Sequence, residues 1–349
     1  MQDDAAETIV LGATSLRVSA VGVGTNSWGA RGEADPGKRQ TFDTLLADGV
    51  TLFDTAEIYT AGSSETTIGR CIRESGRAPM ILTKFFPFPW RWTKQAMRTA
   101  LEKSLARLQV PAVDVYLLHF PLPPVPVETW ADALADAVEA GLTRTVGISN
   151  CSPEQTRRAH AALAARGVAL ACNEVEYSPL NRGPERSGLV ATCRELGVTL
   201  VAYRPLALGM LTGKYTAERP PRGVRALIYG RSYLVKLQPV LSVMRRIGDT
   251  RGKTPSQVAI NWLLCKGSLP IPGAKNPGQA RENAGAMGWR LTASEVAEMD
   301  ASSRAQATPV PAAIPRSYIQ HGDNEECRDP TKRSSLKTIR TLRTSYPCT

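Results

Sequence analysis

The sequence predicts an α/β fold, a (β/α)8 TIM barrel with an N-terminal β-hairpin before it and a disordered C-terminal tail behind it. Two observations predict it. Short apolar runs alternate strictly with helical patterns, which argues for a parallel sheet, and eight such runs argue for closure. Three of those runs in succession also end at or just before a titratable residue, as expected where strand C-termini converge on a working face. A doubly wound open sheet is the alternative architecture.

The elements follow in order. Thr8–Leu11 and Leu16–Ser19, separated by Gly12-Ala13-Thr14-Ser15, read as a hairpin placed to plug the N-terminal end of a barrel. Strand-like runs recur at 20–24, 51–54, 80–84, 113–119, 145–149, 170–176, 199–203 and 269–271. Between them, 94–108 sets Met97, Leu101, Leu105 and Leu108 on one helical face. Helical patterns also cover 129–140, 152–165, 256–264 and 276–284. Ser152-Pro153-Glu154-Gln155 supplies an N-cap, a proline at the first helical position and a capping-box glutamine. The longest break, 216–238, is rich in Pro and Arg and reads as a βα loop suited to clamping a cofactor. The barrel is expected to span 8–308, and the polar, basic stretch 309–349 to be a disordered tail.

Bulk properties narrow the class. The 349 residues are 42% hydrophobic and 21% charged, ordinary for a soluble globular protein. No apolar run reaches the length of a membrane span, so none is expected. The net charge of +11 is spread along the chain without a basic helix or aromatic-basic repeat. That argues against nucleic acid and for attraction of an anionic small molecule. Seven cysteines show no C-x-x-C pair and there are three histidines, so neither a disulfide framework nor a zinc site is expected. A monomer is expected. The acidic start, Met1 to Glu7, carries no readable signal or transit peptide, which points to the cytoplasm.

The chemistry lies at the strand ends. Leu52-Phe53-Asp54 delivers Asp54, with Tyr59 five residues on; the third run delivers Lys84 and the fourth His119. A free phenol, with a pKa of about 10, gives up its proton reluctantly. A neighbouring ammonium lowers that value, so Lys84, held charged by Asp54, is expected to make Tyr59 a general acid. His119 would hydrogen-bond and orient a substrate carbonyl. The aromatics Trp28, Phe86 and Trp90, with Tyr59 and His119, are the candidate substrate pocket, since such pockets are mostly apolar. Three look-alike motifs fail: Gly22 to Ser27 lacks a third glycine, Gly209 to Lys214 is one residue short of a P-loop, and Gly147 to Cys151 lacks the closing glycine of a nucleophile elbow.

This set, with Ala202-Tyr203-Arg204-Pro205-Leu206, Gly213-Lys214-Tyr215 and Ile271-Pro272-Gly273-Ala274-Lys275-Asn276, resembles the aldo-keto reductase family, in its plant-type plastid oxidoreductase and pyridoxal reductase branch. The resemblance covers roughly residues 8 to 305. It implies NADPH-dependent reduction of an aldehyde or ketone, with Asp54, Tyr59, Lys84 and His119 as the catalytic residues. Its second implication is a cofactor-binding barrel that acts as a regulatory partner, as potassium-channel β subunits do. Plastid-located relatives make the chloroplast the alternative compartment. By the same resemblance, Ser149 and Asn150 bind the nicotinamide carboxamide and the Tyr203 ring stacks on the nicotinamide. Pro205, Leu206, Thr25 and Asn26 complete that end.

Two positions depart from the family. Glu174, a cofactor contact expected to accept from the carboxamide NH2, stands where glutamine is usual, and an ionised glutamate accepts but cannot donate. Arg204 stands where serine is usual, and is expected to reach the pyrophosphate or pair with Glu174. Lys214 and Lys275 are the candidates for the 2′-phosphate, because Lys275 precedes a helix N-terminus that favours phosphate. Asp54, Gly273, Gln279, Glu282 and Asn283 are carried over as cofactor contacts, the last three toward the adenosine.

Overall fold

The computed structural model describes residues 6–29, 35–223, 226 and 229–304. The hairpin forms as expected, β1 (Thr8–Val10) pairing antiparallel with β2 (Arg17–Ser19). Its turn needs Gly12: φ is +58°, and a Cβ there would lie 2.3 Å from the Ala171 carbonyl oxygen. The Gly12 amide donates to Thr199 Oγ1 at 2.7 Å, fastening the turn to the barrel.

Eight strands follow: β3 (Val23–Gly24), β4 (Leu52–Asp54), β5 (Met80–Phe85), β6 (Val113–Leu118), β7 (Thr143–Ser149), β8 (Leu170–Glu176), β9 (Thr199–Tyr203) and β10 (Leu269–Pro270). Each pairs in parallel with its neighbours in sequence. The ends then meet. Gly22 N donates to the Pro270 carbonyl at 3.0 Å and Gly24 N to that of Pro272 at 3.1 Å, with a parallel bridge from Gly24 to Gly273. That closure excludes the doubly wound alternative.

Alternation along the strands separates two cores. Leu52, Leu82, Val115, Leu117, Val201 and Leu269 fill the barrel interior and pack with Leu11, Leu16 and Val18 of the hairpin. Their neighbours, such as Phe53, Ile81 and Tyr116, join the larger core under the helices.

The helices at 94–108 and 153–164 start as read, the second with its full Ser152–Gln155 capping box. The break at 216–238 is only partly a loop, because Arg231–Asp249 is a helix. Interior Pro239 and several basic residues obscured a sound period: Leu234, Leu237, Leu241, Met244 and Ile247 are buried. The expected tail, 309–349, lies outside the described residues. Among the described residues, no helix is long and apolar enough to cross a membrane.

Candidate active site

The C-terminal ends of β4, β5 and β8 place three titratable side chains inside the barrel. Asp54, Lys84 and Glu174 are all buried, Lys84 completely. The period of two explains their direction: Leu52, Leu82 and Cys172, two residues earlier on the same strands, belong to the interior cluster. Lys84 Nζ donates to Asp54 Oδ1, to the Thr55 carbonyl at 2.9 Å and, over a long 3.5 Å, to the Tyr59 hydroxyl. Glu174 Oε2 is 3.3 Å from the same nitrogen.

Tyr59 is presented by an unusual turn. Thr60, Ala61 and Gly62 follow it in the left-handed region, at φ of 47°, 54° and 90°. Two consecutive non-glycine residues there are held by their surroundings; Thr60 Oγ1, for instance, donates to the Trp28 carbonyl at 2.9 Å. Glu57, absent from the sequence-derived set, clamps this turn to the segment after β5. It accepts from the Phe86 amide at 2.8 Å and from Arg91 Nη1 and Nη2 at 2.8 and 3.1 Å. Its place two residues before Tyr59 was the available signal.

His119 follows β6 directly, and its amide donates to the Phe85 carbonyl at 2.8 Å. Its ring lies edge-on to Tyr59, centroids 5.9 Å apart, and to Phe86 at 5.7 Å. The four residues expected at the strand ends therefore do converge.

The charges in this cluster are not arranged as the sequence suggested. Burial drives the Tyr59 phenol above its ordinary pKa; Lys84 pulls it down, but Asp54 and Glu174 push it up, and the balance is upward. Burial would discharge Lys84, yet Asp54 and Glu174 outweigh it and hold the ammonium charged. Burial, then the Asp54 charge, push Glu174 up to about 8, which favours its protonated form at neutral pH. The pairing of Glu174 with Arg204 is not formed: Arg204 Nη1 lies 3.2 Å from Glu176 Oε2 instead.

A second network joins the next strand ends. Ser149 Oγ donates to the Glu174 carbonyl at 2.8 Å, and Asn150 Nδ2 to the His119 carbonyl at 3.1 Å and Ser149 Oγ at 2.9 Å. The Tyr203 hydroxyl donates to Asn150 Oδ1 at 3.0 Å. Asn150 and Arg204 both have positive φ, 58° and 51°. Pro205 is buried and Leu206 half-buried beyond them.

Other expected contacts fall differently. Trp28 is fully buried, packed edge-on to Phe53 and donating to the Ala274 carbonyl at 2.9 Å. It is a structural tie between the barrel's first and last segments, not pocket surface. Thr25 is likewise buried, its hydroxyl bonded to the Asp54 carbonyl at 2.7 Å, while Asn26 is exposed. Phe86 is buried against His119, whereas Trp90 is 77% exposed and stacked on Phe88 at the rim.

The segment around the helix Pro277–Ala284 is braced from within. Asn276 caps the helix Pro277–Ala284, accepting from the Gln279 amide at 3.0 Å, and Gln279 Oε1 accepts from the Lys275 amide at 2.8 Å. Glu282 accepts from Thr254 Oγ1 at 2.9 Å, and Asn283 donates to the Gly273 carbonyl at 3.2 Å. Lys275 and Lys214 are exposed, the latter lying over the Tyr215 ring. No cluster suited to a metal ion occurs among the described residues.

The model of the aldo/keto reductase family matches residues 20–304. This chain belongs to that family. It is an oxidoreductase of the aldo-keto reductase class. It is similar to a protein named pyridoxal reductase, chloroplastic, from Arabidopsis thaliana, with 37% identity over 326 residues, 88% of this chain and 87% of that one. Among solved structures it is similar to a glycerol dehydrogenase from Gluconobacter oxydans, with a TM-score of 0.77 and 25% identity over 90% of this chain and 99% of that one. It is also similar to an aldo-keto reductase from Klebsiella pneumoniae in complex with NADPH, with a TM-score of 0.68 and 27% identity over 86% and 95% of the two chains.

Proposed function

We propose that this aldo-keto reductase reduces the carbonyl of a small aldehyde or ketone, with Tyr59 as the proton donor. The cofactor is NADP(H), as in the Klebsiella structure. It supplies the hydride that goes to the carbonyl carbon, while the Tyr59 proton goes to the oxygen.

One observation carries this reading: a fully buried ammonium, Lys84, donates to both Asp54 and Tyr59 at the open end of the barrel, with His119 against the Tyr59 ring. Tyr59 holds a proton at neutral pH and, after giving it up, is a phenolate facing Lys84. The ammonium stabilises that anion, which is where a general acid needs help. His119 lines the same side and orients the carbonyl oxygen.

The chemistry of the remaining residues fits the dinucleotide. Ser149, Asn150 and Tyr203 offer hydroxyl and amide groups beside the buried cluster, suited to a carboxamide and to stacking. Lys275, exposed just before a capped helix N-terminus, and the exposed Lys214 suit phosphate. Arg204, half-buried and paired with Glu176, stays the candidate for the pyrophosphate.

Pyridoxal, from the name of the Arabidopsis relative, is the first carbonyl to assay. In NADPH-oxidation assays, Tyr59→Phe is expected to lower turnover by a factor of about 10² or more while NADPH still quenches protein fluorescence on binding. Turnover within threefold of wild type would exclude Tyr59 as the acid.

A further inference from the structure

Lys84 has more neighbours than protons. An ammonium carries three donors, and four oxygens compete for them: Asp54 Oδ1, the Thr55 carbonyl at 2.9 Å, Glu174 Oε2 at 3.3 Å and the Tyr59 hydroxyl at 3.5 Å. Two carboxylates thus face one cation where almost no solvent reaches. Left ionised, they would bury an uncompensated negative charge, which costs several kcal/mol. One added proton removes the excess.

The geometry decides where it sits. Asp54 takes a hydrogen bond directly from Lys84, so its charge is served. Glu174 stands farther from the ammonium than Asp54 does, so its charge is the less well served and it is the member that gains by holding the proton. The other titratable groups around Glu174 do not compete for this proton. On its own strand, the Cys172 thiol is raised far above its ordinary range by burial, and Glu176 is held by Arg204. From β9, the Tyr203 hydroxyl donates to Asn150. Tyr59 keeps its own proton, and His119, beyond β6, lies against the Tyr59 ring.

We propose that Glu174 is a positioning residue that stores a proton beside Lys84 and so sets how tightly Tyr59 holds its own. With Glu174 neutral, Tyr59 faces the balanced Lys84–Asp54 pair. With Glu174 ionised, a second negative charge opposes formation of the Tyr59 phenolate, and proton donation slows. The chain therefore carries a built-in loss of reductase competence at alkaline pH, one that a glutamine at this position would not have. This rests on Tyr59 being the acid.

Two measurements test it. Infrared titration of the full chain reads the carboxyl directly. The wild type should lose one buried carboxylic-acid C=O band with a midpoint near pH 8, and Glu174→Gln should lack that band. Turnover at saturating NADPH reads the consequence. The wild type should step down roughly three- to tenfold through the same midpoint to a new plateau, because Tyr59 is still protonated and only a weaker acid. In Glu174→Gln the step should vanish. A band that persists in Glu174→Gln, or a step that does, would overturn the proposal. So would a wild-type titration with no such band, which needs no variant to fold. If the band titrates as expected but Tyr59→Phe still turns over, the acid assignment is what has failed, and the control of Tyr59 fails with it.

Discussion

The two ends of the barrel are built from the same strands and do opposite things. Toward the N-terminal end, Leu52, Leu82, Cys172 and Val201 point inward and meet the hairpin residues Leu11 and Leu16. Two residues later the same strands present Asp54, Lys84, Glu174 and Tyr203, and just beyond β6 comes His119. A step of about 6.6 Å along each strand thus crosses from a dry apolar plug to a cluster of charges. The plug keeps water out from below, and the low dielectric this produces makes the charges above it perturb one another so strongly. Stability is concentrated at one end and reactivity at the other.

That contrast can be broken at graded points. The largest effect is expected from Lys84→Met, which leaves the Asp54 carboxylate buried without its cation; loss of one buried partner costs about 3–5 kcal/mol. Denaturant unfolding at pH 7 should show this, and the deficit should shrink at pH 5 as Asp54 takes up a proton. A deficit independent of pH would mean that lost packing, not charge, is responsible.

At the plug, Leu117→Ala should cost about 2–5 kcal/mol through an interior cavity, with the pH dependence of turnover unchanged. A shifted pH profile in this variant would show that the two ends are not separable. Opposite in sign is the effect of Glu174→Gln on thermal stability. The folded-state value for Glu174 is raised from 4.5 to about 8. Between those values the native state binds the extra proton, so wild-type stability falls as pH rises through that window and stays reduced above it. The variant should therefore melt above wild type at pH 9, and the gap should close toward pH 4. Smallest is Arg17→Ala. Its exposed side chain donates to Thr8 Oγ1 at 2.8 Å on the hairpin surface, and its loss should stay within about 0.5 kcal/mol. A larger loss would mean that surface bonds, not Leu11 and Leu16, secure the plug.

Much of this was legible because the signals are local. Alternation placed the strands and told which residues share a face, so the convergence of Asp54, Lys84 and His119 followed from strand ends alone. The Ser152 capping box needed four consecutive residues. The misreadings share a cause, dependence on partners remote in sequence. Trp28 looked like pocket lining until Ala274, far along the chain, took its indole N–H. Arg204 could be offered two roles but not Glu176, because the sequence gives no angle at which its side chain leaves the strand. The helix at 231–249 was masked for a local reason, its Pro239 and its basic residues, although its buried stripe is regular.

The order of elements, the hairpin ahead of the barrel and the identity of the residues at the strand ends were determined by the sequence by itself, since period and turn chemistry act over a few residues. Only the tertiary structure decided how one ammonium divides three protons among four neighbours, and hence which carboxyl group is left to carry a proton. That outcome depends on separations of a few tenths of an ångström between three strands and on the exclusion of water by the plug beneath them. Neither quantity is written in any local stretch of the chain.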